Sequence, residues 1–447
     1  MKKIISLILA LVMVMGLAVS ASAASITITP PAVPEGATET GITYAAYKIF
    51  DATIIKDAEG NITSSAYTIE SKSPYFETIK KYSNLNDAED KTETEYFTLT
   101  ASAGSASTYV VVAKDAYTSD VANTFAETLK AVNTTSVGTV SGNKITDLTD
   151  GYYLVTSSVG SDLILDTIGD ITVATKNEYP TLTKAVDKDT ADMGATLTFT
   201  LKINIPEDAV GEIVVHDTMT DVTYASMTEV EGITVAECNN CTKAFTLSAD
   251  YVKAHKGEEI TITYKGTFNA DDIATNEAYL VDDTFTSKEV KVETLTTDIV
   301  INKVISGTTT PLENAKFVLK NDDGKFYSVD ATTGAVSWVD KQGDATEVTT
   351  NAQGSAEFSN VANGTYYLVE TEAPAGYNLL TAPVKVEVTA VKNTEGTEVV
   401  DIPANVENST GSALPSTGGM GTTLFYVIGG LMMAGAAVLL VTKKRMA

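Results

Sequence analysis

Two sets of polar residues fall on strand faces that are otherwise apolar, and each set contains the same residue types. Residues two apart in a half-buried strand share one face. By that period, a lysine, a carboxylic acid and an asparagine are each in phase with apolar neighbours, once in the middle of the chain and once near its end. The two triads are Lys184, Asp217 and Asn276, and Lys303, Glu370 and Asn408.

These residue types can form a covalent bond when they are buried together. Burial disfavours charged forms, so it lowers the pKa of lysine and raises the pKa of a carboxylic acid. The acid can then hydrogen-bond the amide and relay a proton while the neutral amine attacks the amide carbon. Ammonia leaves, and a Lys–Asn isopeptide bond remains. For a single lysine on an apolar face, there are two simpler explanations: its side chain extends along the core edge to solvent, or it forms a buried ion pair. Two complete triads in the same chain order favour the bond.

The elements that must position these residues are short β-strands. Runs of Val, Ile, Thr and Tyr alternate with Gly, Asn and Asp, a pattern typical of antiparallel β-sandwiches. We therefore predict an all-β fold of three tandem domains, at residues 24–175, 176–296 and 297–408. Apolar residues at helical spacing across 121–132 predict one amphipathic helix inserted in the first domain.

The N-terminus predicts secretion. Lys2-Lys3, a following apolar run and Ala21-Ser22-Ala23 are typical of a signal peptide over residues 1–23. Removal of this peptide and of the basic C-terminal tail takes away five cations and no acids, which lowers the net charge from −27 to −32. Such a surface repels nucleic acid and anionic lipid, so we expect no nucleic-acid partner.

The C-terminal region, residues 409–447, carries a sorting motif. Leu414-Pro415-Ser416-Thr417-Gly418 precedes an uncharged apolar run from Leu424 to Val441, and Lys443-Lys444-Arg445 follows. This order resembles the cell-wall sorting signal of Gram-positive surface proteins, which sortases cut between Thr and Gly, here Thr417 and Gly418. The resemblance implies transient membrane insertion and then attachment to peptidoglycan. The alternative is a permanent membrane anchor behind an incidental turn.

The sequence gives little support for metal binding or for enzymatic catalysis. Cys238 and Cys241 form a C-x-x-C, but zinc needs four ligands and the chain has only two histidines, so we expect a loop disulfide or two free thiols. The sequence has no Gly-rich phosphate loop, no G-x-S-x-G elbow and no H-E-x-x-H. We therefore expect no metal and no cofactor, and a wall-anchored hydrolase is disfavoured.

A motif in the third domain resembles one from a known family. Leu368-Val369-Glu370-Thr371, followed by residues 373–377 (A-P-A-G-Y), is similar to the E-box (L-x-E-T-x-A-P-x-G-Y) of Gram-positive sortase-assembled pilins. The resemblance implies a CnaB-type Ig-like third domain in which Glu370 promotes the bond. It also implies a CnaA-type middle domain in which Asp217 has that role. The implied bonds are Lys184–Asn276 and Lys303–Asn408.

The first domain departs from this pattern. Residues 151–157 (G-Y-Y-L-V-T-S) imitate the approach to an E-box, but Thr156 stands where the acid should be. Lys48 is in phase with the apolar residues of its strand. Without the acid, we expect no internal bond here, and this domain should be the most easily unfolded or proteolysed of the three.

Shaft subunits of this pilin family need one further lysine, often within V-Y-P-K-N. Residues 173–177 (V-A-T-K-N) align with that motif but lack its Tyr-Pro. The resemblance implies that Lys176 attacks the acyl-enzyme formed on Thr417 of another subunit. The alternative is an ordinary solvated linker lysine.

The resemblance as a whole implies the backbone (major) subunit of a covalently polymerised pilus that supports adhesion. Such a chain is a substrate of a pilus-specific and a housekeeping sortase, and apart from single-turnover self-cross-linking it is not an enzyme. Its implied partners are identical subunits and peptidoglycan, with tip or basal pilins and a host ligand as further candidates. The alternative is a monomeric wall-anchored adhesin or an ancillary pilin of the same domain family.

Overall fold

The computed structural model describes residues 23–59, 61–87, 93–132, 134–160, 162–175 and 178–411. Lys176, the sorting motif at 414–418 and all but the last residue of the predicted signal peptide lie outside this part of the chain. Within it, no helix is long and apolar enough to cross a bilayer. The fold is mostly β, which confirms the all-β prediction.

The chain divides into two compact units. The first unit contains the first predicted domain and most of the middle one, and the second contains the third predicted domain with short segments of the middle one. The division into three domains stays a prediction. The described residues of the first unit lie within 1–189, 196–267 and 274–294, and those of the second within 190–195, 268–273 and 295–447.

The first predicted domain contains two sheets. Its strands are β1 (Ala23–Thr29), β2 (Thr38–Glu39), β3 (Tyr44–Lys56), β4 (Ile62–Glu70), β5 (Phe97–Ala101), β6 (Thr108–Ala113), β7 (Thr139–Ser141), β8 (Lys144–Thr149), β9 (Gly151–Ser157), β10 (Leu163–Thr167) and β11 (Ile171–Ala174). One sheet has the order β11-β1-β8-β7 and the other β10-β9-β3-β4-β6-β5.

Two helices interrupt these strands, α1 (Phe76–Lys81) and α2 (Ser119–Lys130). Helix α2 is the predicted insertion. The side chain of Thr118 caps its N-terminus by accepting a hydrogen bond from the backbone N–H of Val121, and the helix buries Phe125 and Leu129. Helix α1 was not predicted, because its single buried turn is too short to establish a period.

The middle predicted domain also contains two sheets. Its elements are β12 (Thr181–Val186), β13 (Thr196–Asn204), β14 (Ile213–Thr220), β15 (Val222–Met227), β16 (Ile233–Glu237), β17 (Lys243–Leu247), α3 (Ala249–Ala254), β18 (Glu259–Phe268), β19 (Ile273–Val281), β20 (Phe285–Thr286) and β21 (Val290–Leu295). The sheets have the orders β12-β13-β18-β15 and β16-β17-β14-β19-β20-β2, and β21 also pairs with β19. Strand β2 therefore leaves the first predicted domain and extends a sheet of the middle one.

The third predicted domain repeats the two-sheet arrangement. Its strands are β22 (Thr297–Ile305), β23 (Lys316–Asn321), β24 (Phe326–Val329), β25 (Val336–Val339), β26 (Val348–Thr349), β27 (Ser355–Val361), β28 (Gly364–Glu372), β29 (Val384–Val388) and β30 (Ile402–Asn408), with a 3₁₀ turn at Gln342–Asp344. The sheets have the orders β27-β22-β30 and β25-β24-β23-β28-β29, and β26 also pairs with β23.

Sequence alternation explains why each strand buries one face. On β13, Leu197, Phe199 and Leu201 are buried, while the intervening threonines are partly exposed. On β22, the same period places Lys303 in line with the buried Ile301. The rule that gives each domain its core thus also carries individual polar side chains into it.

Candidate functional site

The middle triad spans the two sheets of its sandwich. Lys184 lies on β12, at the edge of the four-stranded sheet. Asp217 on β14 and Asn276 on β19 lie on antiparallel neighbours of the other sheet. The side chains of Lys184 and Asp217 have no exposed area, and Asn276 is 1% exposed. The fold therefore places these three residues together and away from solvent.

A tyrosine hydroxyl lies at the centre of this triad. The hydroxyl of Tyr264, on β18, accepts hydrogen bonds from Lys184 Nζ at 2.7 Å and from Asn276 Nδ2 at 2.9 Å. It donates a hydrogen bond to Asp217 Oδ2 at 2.6 Å. Lys184 Nζ also donates to Asp217 Oδ2. One buried hydroxyl thus contacts the amine, the acid and the amide.

Sequence analysis missed Tyr264, although a signal for it was present. Strand β18 alternates, and Tyr264 falls in phase with the buried Ile260 and Ile262. A buried tyrosine usually needs a hydrogen-bond partner for its hydroxyl. The period therefore marks Tyr264 as a candidate, but only the packing of β18 opposite β14 and β19 identifies its partners.

Burial shifts the middle triad towards its neutral forms. Desolvation lowers the pKa of Lys184 and raises the pKa of Asp217, while the attraction between the two groups opposes both shifts. Desolvation also raises the pKa of Tyr264, so its hydroxyl keeps its proton. With the proton on the acid, a free amine lies in the same cluster as the amide, which is the protonation state that nucleophilic attack requires.

The third-domain triad is built on different strands. Lys303 on β22 and Asn408 on β30 lie on adjacent parallel strands of one sheet, where Lys303 is in register with Val406. Glu370 lies on β28, in the other sheet. Lys303 is fully buried, and Asn408 is 1% exposed. A bond between the lysine and the asparagine would join the first strand of this domain to its last.

Glu370 and the loop after it hold the amide of this triad. Glu370 Oε2 accepts hydrogen bonds from Asn408 Nδ2 at 3.0 Å and from the backbone N–H of Leu380 at 2.8 Å. Asn408 Nδ2 also donates to the carbonyl oxygen of Asn378 at 2.7 Å. Both protons of the amide nitrogen therefore have acceptors, which fixes the orientation of the amide.

The amine of Lys303 has poor partners by comparison. Its Nζ lies 4.0 Å from Glu370 Oε1, beyond hydrogen-bond distance, and 3.4 Å from the carbonyl oxygen of Val406. Burial lowers the pKa of Lys303 to about 8, against the attraction of Glu370. With that pKa about a tenth of the amine is neutral at pH 7, compared with well under a thousandth at the ordinary lysine pKa.

The E-box folds as a strand followed by a loop that returns to β30. Leu368 packs in the core, whereas Thr371 points outward and donates a hydrogen bond to Glu347 at 2.7 Å. The loop then brings Tyr377 into a bridge with Thr410, just beyond the end of β30. This return explains why loop backbone lies against the asparagine amide.

Both triads leave the same two kinds of atom without a partner. The second oxygen of the acid and the amide oxygen of the asparagine are buried, and neither has a hydrogen-bond partner among the described residues. An unsatisfied buried polar atom costs roughly 1–3 kcal/mol. A proton shared between these two oxygens would satisfy both and would polarise the amide. The atoms are Asp217 Oδ1, Asn276 Oδ1, Glu370 Oε1 and Asn408 Oδ1.

Lys48 of the first domain has a different environment. Its Nζ forms an ion pair with Asp51 and donates a hydrogen bond to Thr149, and its side chain is 22% exposed. Thr156, at the position of the E-box acid, lies on β9, the neighbour of β3. This environment agrees with the expectation of no internal bond, which stays a prediction.

The two cysteines form a disulfide that closes the β16–β17 hairpin. The sequence was compatible with either a disulfide or two free thiols, and the structure contains the disulfide. His216, on β14, lies beside the disulfide, with its Nδ1 3.5 Å from each sulfur. Sequence analysis did not connect His216 with the C-x-x-C, because about twenty residues and two strands, β15 and β16, separate them in the chain.

Comparison with known proteins identifies two regions of the chain. Residues 297–402 match the SpaA family, a prealbumin-like fold domain, and residues 406–447 match the LPXTG cell wall anchor motif. A segment of 84 residues, 18% of this chain, is 43% identical to fimbrial subunit type 1 of Actinomyces viscosus. The aligned segment spans only 15% of that relative's length.

Solved pilin structures are also similar to the chain. The group B streptococcus pilus 2b backbone protein is 29% identical, with a TM-score of 0.43, over 52% of this chain and 99% of that one. The T6 backbone pilin of serotype M6 Streptococcus pyogenes is 18% identical, with a TM-score of 0.43, over 83% of this chain and 81% of that one.

The anchor motif defines a cell wall-anchored surface protein, which confirms the predicted anchor and localisation. More particularly, residues 297–402 match a prealbumin-like fold domain, and the fimbrial relative and the anchor motif support a pilus subunit. The resemblance to sortase-assembled pilins is thereby confirmed.

Proposed function

We propose that this chain is the backbone subunit of a covalently polymerised pilus, stabilised by two internal Lys–Asn isopeptide bonds. The observation that carries the proposal is the presence of two buried lysine–acid–asparagine triads in one wall-anchored chain. Ionisable side chains are rarely this deeply buried, and perturbed ones cluster at functional sites. In this proposal the chain is a structural protein and a sortase substrate rather than an enzyme. Its partners are sortases, identical subunits and peptidoglycan.

The reaction in each triad is an exchange of one amide for another. The lysine Nζ attacks the asparagine Cγ, and the protonated acid donates a hydrogen bond to Oδ1, where negative charge develops. The acid relays a proton from the attacking nitrogen to Nδ2, which leaves as ammonia. One C–N bond forms and one breaks, and the acid regains its proton. The reaction therefore needs no cofactor and no oxidant.

The two bonds would strengthen the domains in different ways. Lys184–Asn276 would connect the two sheets of the middle sandwich, whereas Lys303–Asn408 would connect adjacent parallel strands at the start and end of the third domain. Tension along a pilus would enter a subunit near Lys176 and leave at Thr417. The third domain would then carry the load through a covalent bond instead of through strand hydrogen bonds that separate one by one.

Intact mass tests the internal bonds. After reduction of the disulfide, the mature chain (residues 24–417) should be lighter than its sequence mass by two molecules of ammonia. Peptide mapping should recover Lys184 joined to Asn276 and Lys303 joined to Asn408, with Lys48 as a free amine. A mass equal to the sequence mass would contradict both bonds. A loss of one ammonia would show that only one of the two bonds forms.

Tyr264 provides a test that is specific to the middle domain. Tyr264→Phe removes the hydroxyl that contacts all three groups but keeps the ring, so the domain should fold while cross-linking slows by about 100-fold, the scale of lost proton-transfer catalysis. The measurement is the mass of the chain against time after refolding. Tyr224→Phe is the matched control, since its ring centroid lies 6.2 Å from that of Tyr264. Equal rates in the two variants would assign Tyr264 to packing alone.

A further inference from the structure

The disulfide hairpin and His216 form a cluster that the proposed pilus function does not use. Cys238 follows β16, Cys241 precedes β17, and His216 lies on β14, the next strand of the same sheet. His216 alternates with the buried Val215 and Asp217, so it faces the outer side of the sheet. The cluster is therefore accessible to small molecules, whereas the isopeptide triad lies on the inner side.

We infer that reduction of the Cys238–Cys241 disulfide creates a zinc site with His216 as the third protein ligand. In tetrahedral zinc sites, Zn–S is about 2.3 Å and Zn–N about 2.0 Å, which places sulfur and nitrogen ligands about 3.5 Å apart. His216 Nδ1 already lies 3.5 Å from both sulfurs. All three ligand atoms lie within 4.8 Å of one another.

Only the spacing of the two sulfurs must change for zinc to bind. Two thiolates on one tetrahedral zinc are about 3.8 Å apart, so the sulfurs must separate once the disulfide is reduced. They lie in the five-residue hairpin loop 238–242, where small rotations achieve this. His216 is held in place by stacking on Tyr279, with ring centroids 5.0 Å apart. The fourth position is left to water, as in zinc sites with three protein ligands.

The chemistry of the change is balanced. Two external thiols supply two electrons and two protons and leave as their disulfide. With a phosphine as the reductant, one water supplies both protons and the oxygen, and the phosphine leaves as its oxide. Zinc then replaces the thiol protons, because cysteine binds metals as the thiolate. Exchange with an external disulfide, which accepts the two electrons and leaves as two thiolates, re-forms the bridge and releases the metal. The site is therefore a redox-dependent one, closed to zinc while the disulfide is intact.

A purely structural disulfide explains the cluster less well. The bridge spans only two intervening residues, and cross-links around short loops stabilise least. Glu237 and Lys243 already pair across the same hairpin, both in register and as an ion pair. A bridge at this tip adds little to the fold, and a structural role does not require a histidine beside both sulfurs.

Zinc titration of the mature chain tests the site. The chain is reduced with a phosphine, the phosphine is removed under argon, and zinc chloride is added in competition with a chromophoric chelator. The reduced chain should bind one equivalent of zinc and the oxidised chain none at the same concentrations, which controls for weak binding to the acidic surface. Cobalt in place of zinc should give tetrahedral visible bands and a thiolate charge-transfer band.

The two histidines of the chain provide a matched pair of variants. His216→Ala should weaken zinc binding to the reduced chain by about tenfold or more, because it removes a direct ligand. His255→Ala should leave zinc binding unchanged, since His255 bonds the carbonyl of Tyr251 at the end of α3. Cys238→Ser should weaken the cobalt charge-transfer band, because it removes one of the two thiolates. Zinc affinity that is the same in the His216→Ala and His255→Ala chains, or equal before and after reduction, would overturn the inference.

Discussion

Replacing Glu370 with alanine is expected to reduce the mass deficit of the mature chain, measured against the variant's own sequence mass, from two molecules of ammonia to one, and to lower the unfolding temperature of the third domain by roughly 20 °C. The deficit shrinks because no acid polarises the amide of Asn408, so the amide keeps its nitrogen. A cross-link around a loop of about 100 residues contributes roughly 4.7 kcal/mol if it follows the relation for disulfides, and each kcal/mol shifts the midpoint of a domain this size by about 4 °C. Intact mass and calorimetry measure the two effects.

Two further variants separate the bond from the packing around it. Glu372→Ala removes an exposed acid on the same strand, paired with Lys316 at 2.8 Å, and should change neither the two-ammonia mass deficit nor the midpoint. Lys303→Met removes the amine and keeps an apolar stem of similar length, so it should lose the bond and the stability that the bond contributes. A Glu370→Ala chain that still lacks two molecules of ammonia relative to its own sequence mass would remove Glu370 from its assigned role. A Lys303→Met chain as stable as the wild type would show that the bond does not stabilise the domain.

Replacing Lys176 with alanine is expected to abolish polymerisation completely. In the proposed function, the amine of Lys176 attacks the acyl-enzyme on Thr417 of another subunit, and alanine offers no nucleophile. Denaturing electrophoresis of wall extracts should show a high-mass ladder for the wild type that survives boiling. The Lys176→Ala chain should give a single band that is still attached to the wall, because the sorting motif is intact.

Two controls make this result specific. Lys202→Ala removes a half-exposed lysine that pairs with Glu259, and the ladder should persist. Thr417→Ala should remove both the ladder and wall attachment, since both use the same acyl-enzyme. A ladder that survives in Lys176→Ala would assign the linkage to another lysine. A single band from the wild type would end the backbone proposal and favour a monomeric adhesin or an ancillary pilin.

The local patterns of the sequence predicted much of this protein. Alternation predicted the β-fold and the inward faces of the triad strands, and helical spacing predicted α2. The terminal signals predicted a wall-anchored surface protein, and the E-box predicted the family resemblance. These features are encoded within windows of a few to about twenty residues, in which period, charge and turn chemistry determine the outcome.

The tertiary structure decided which side chains meet. The two-residue period of a strand places Lys184 and Lys303 inward. It does not show that Lys184 lies in the opposite sheet from its asparagine, whereas Lys303 lies on a parallel strand beside its own. The period also does not place the hydroxyl of Tyr264 among three reactive groups. Nor does it place His216 beside a disulfide that is two strands further along the chain. The sequence by itself determined which face of its strand each residue occupies, because that depends on the local backbone. The partners across that face depend on sheet order and sandwich packing, which distant segments of the chain establish together.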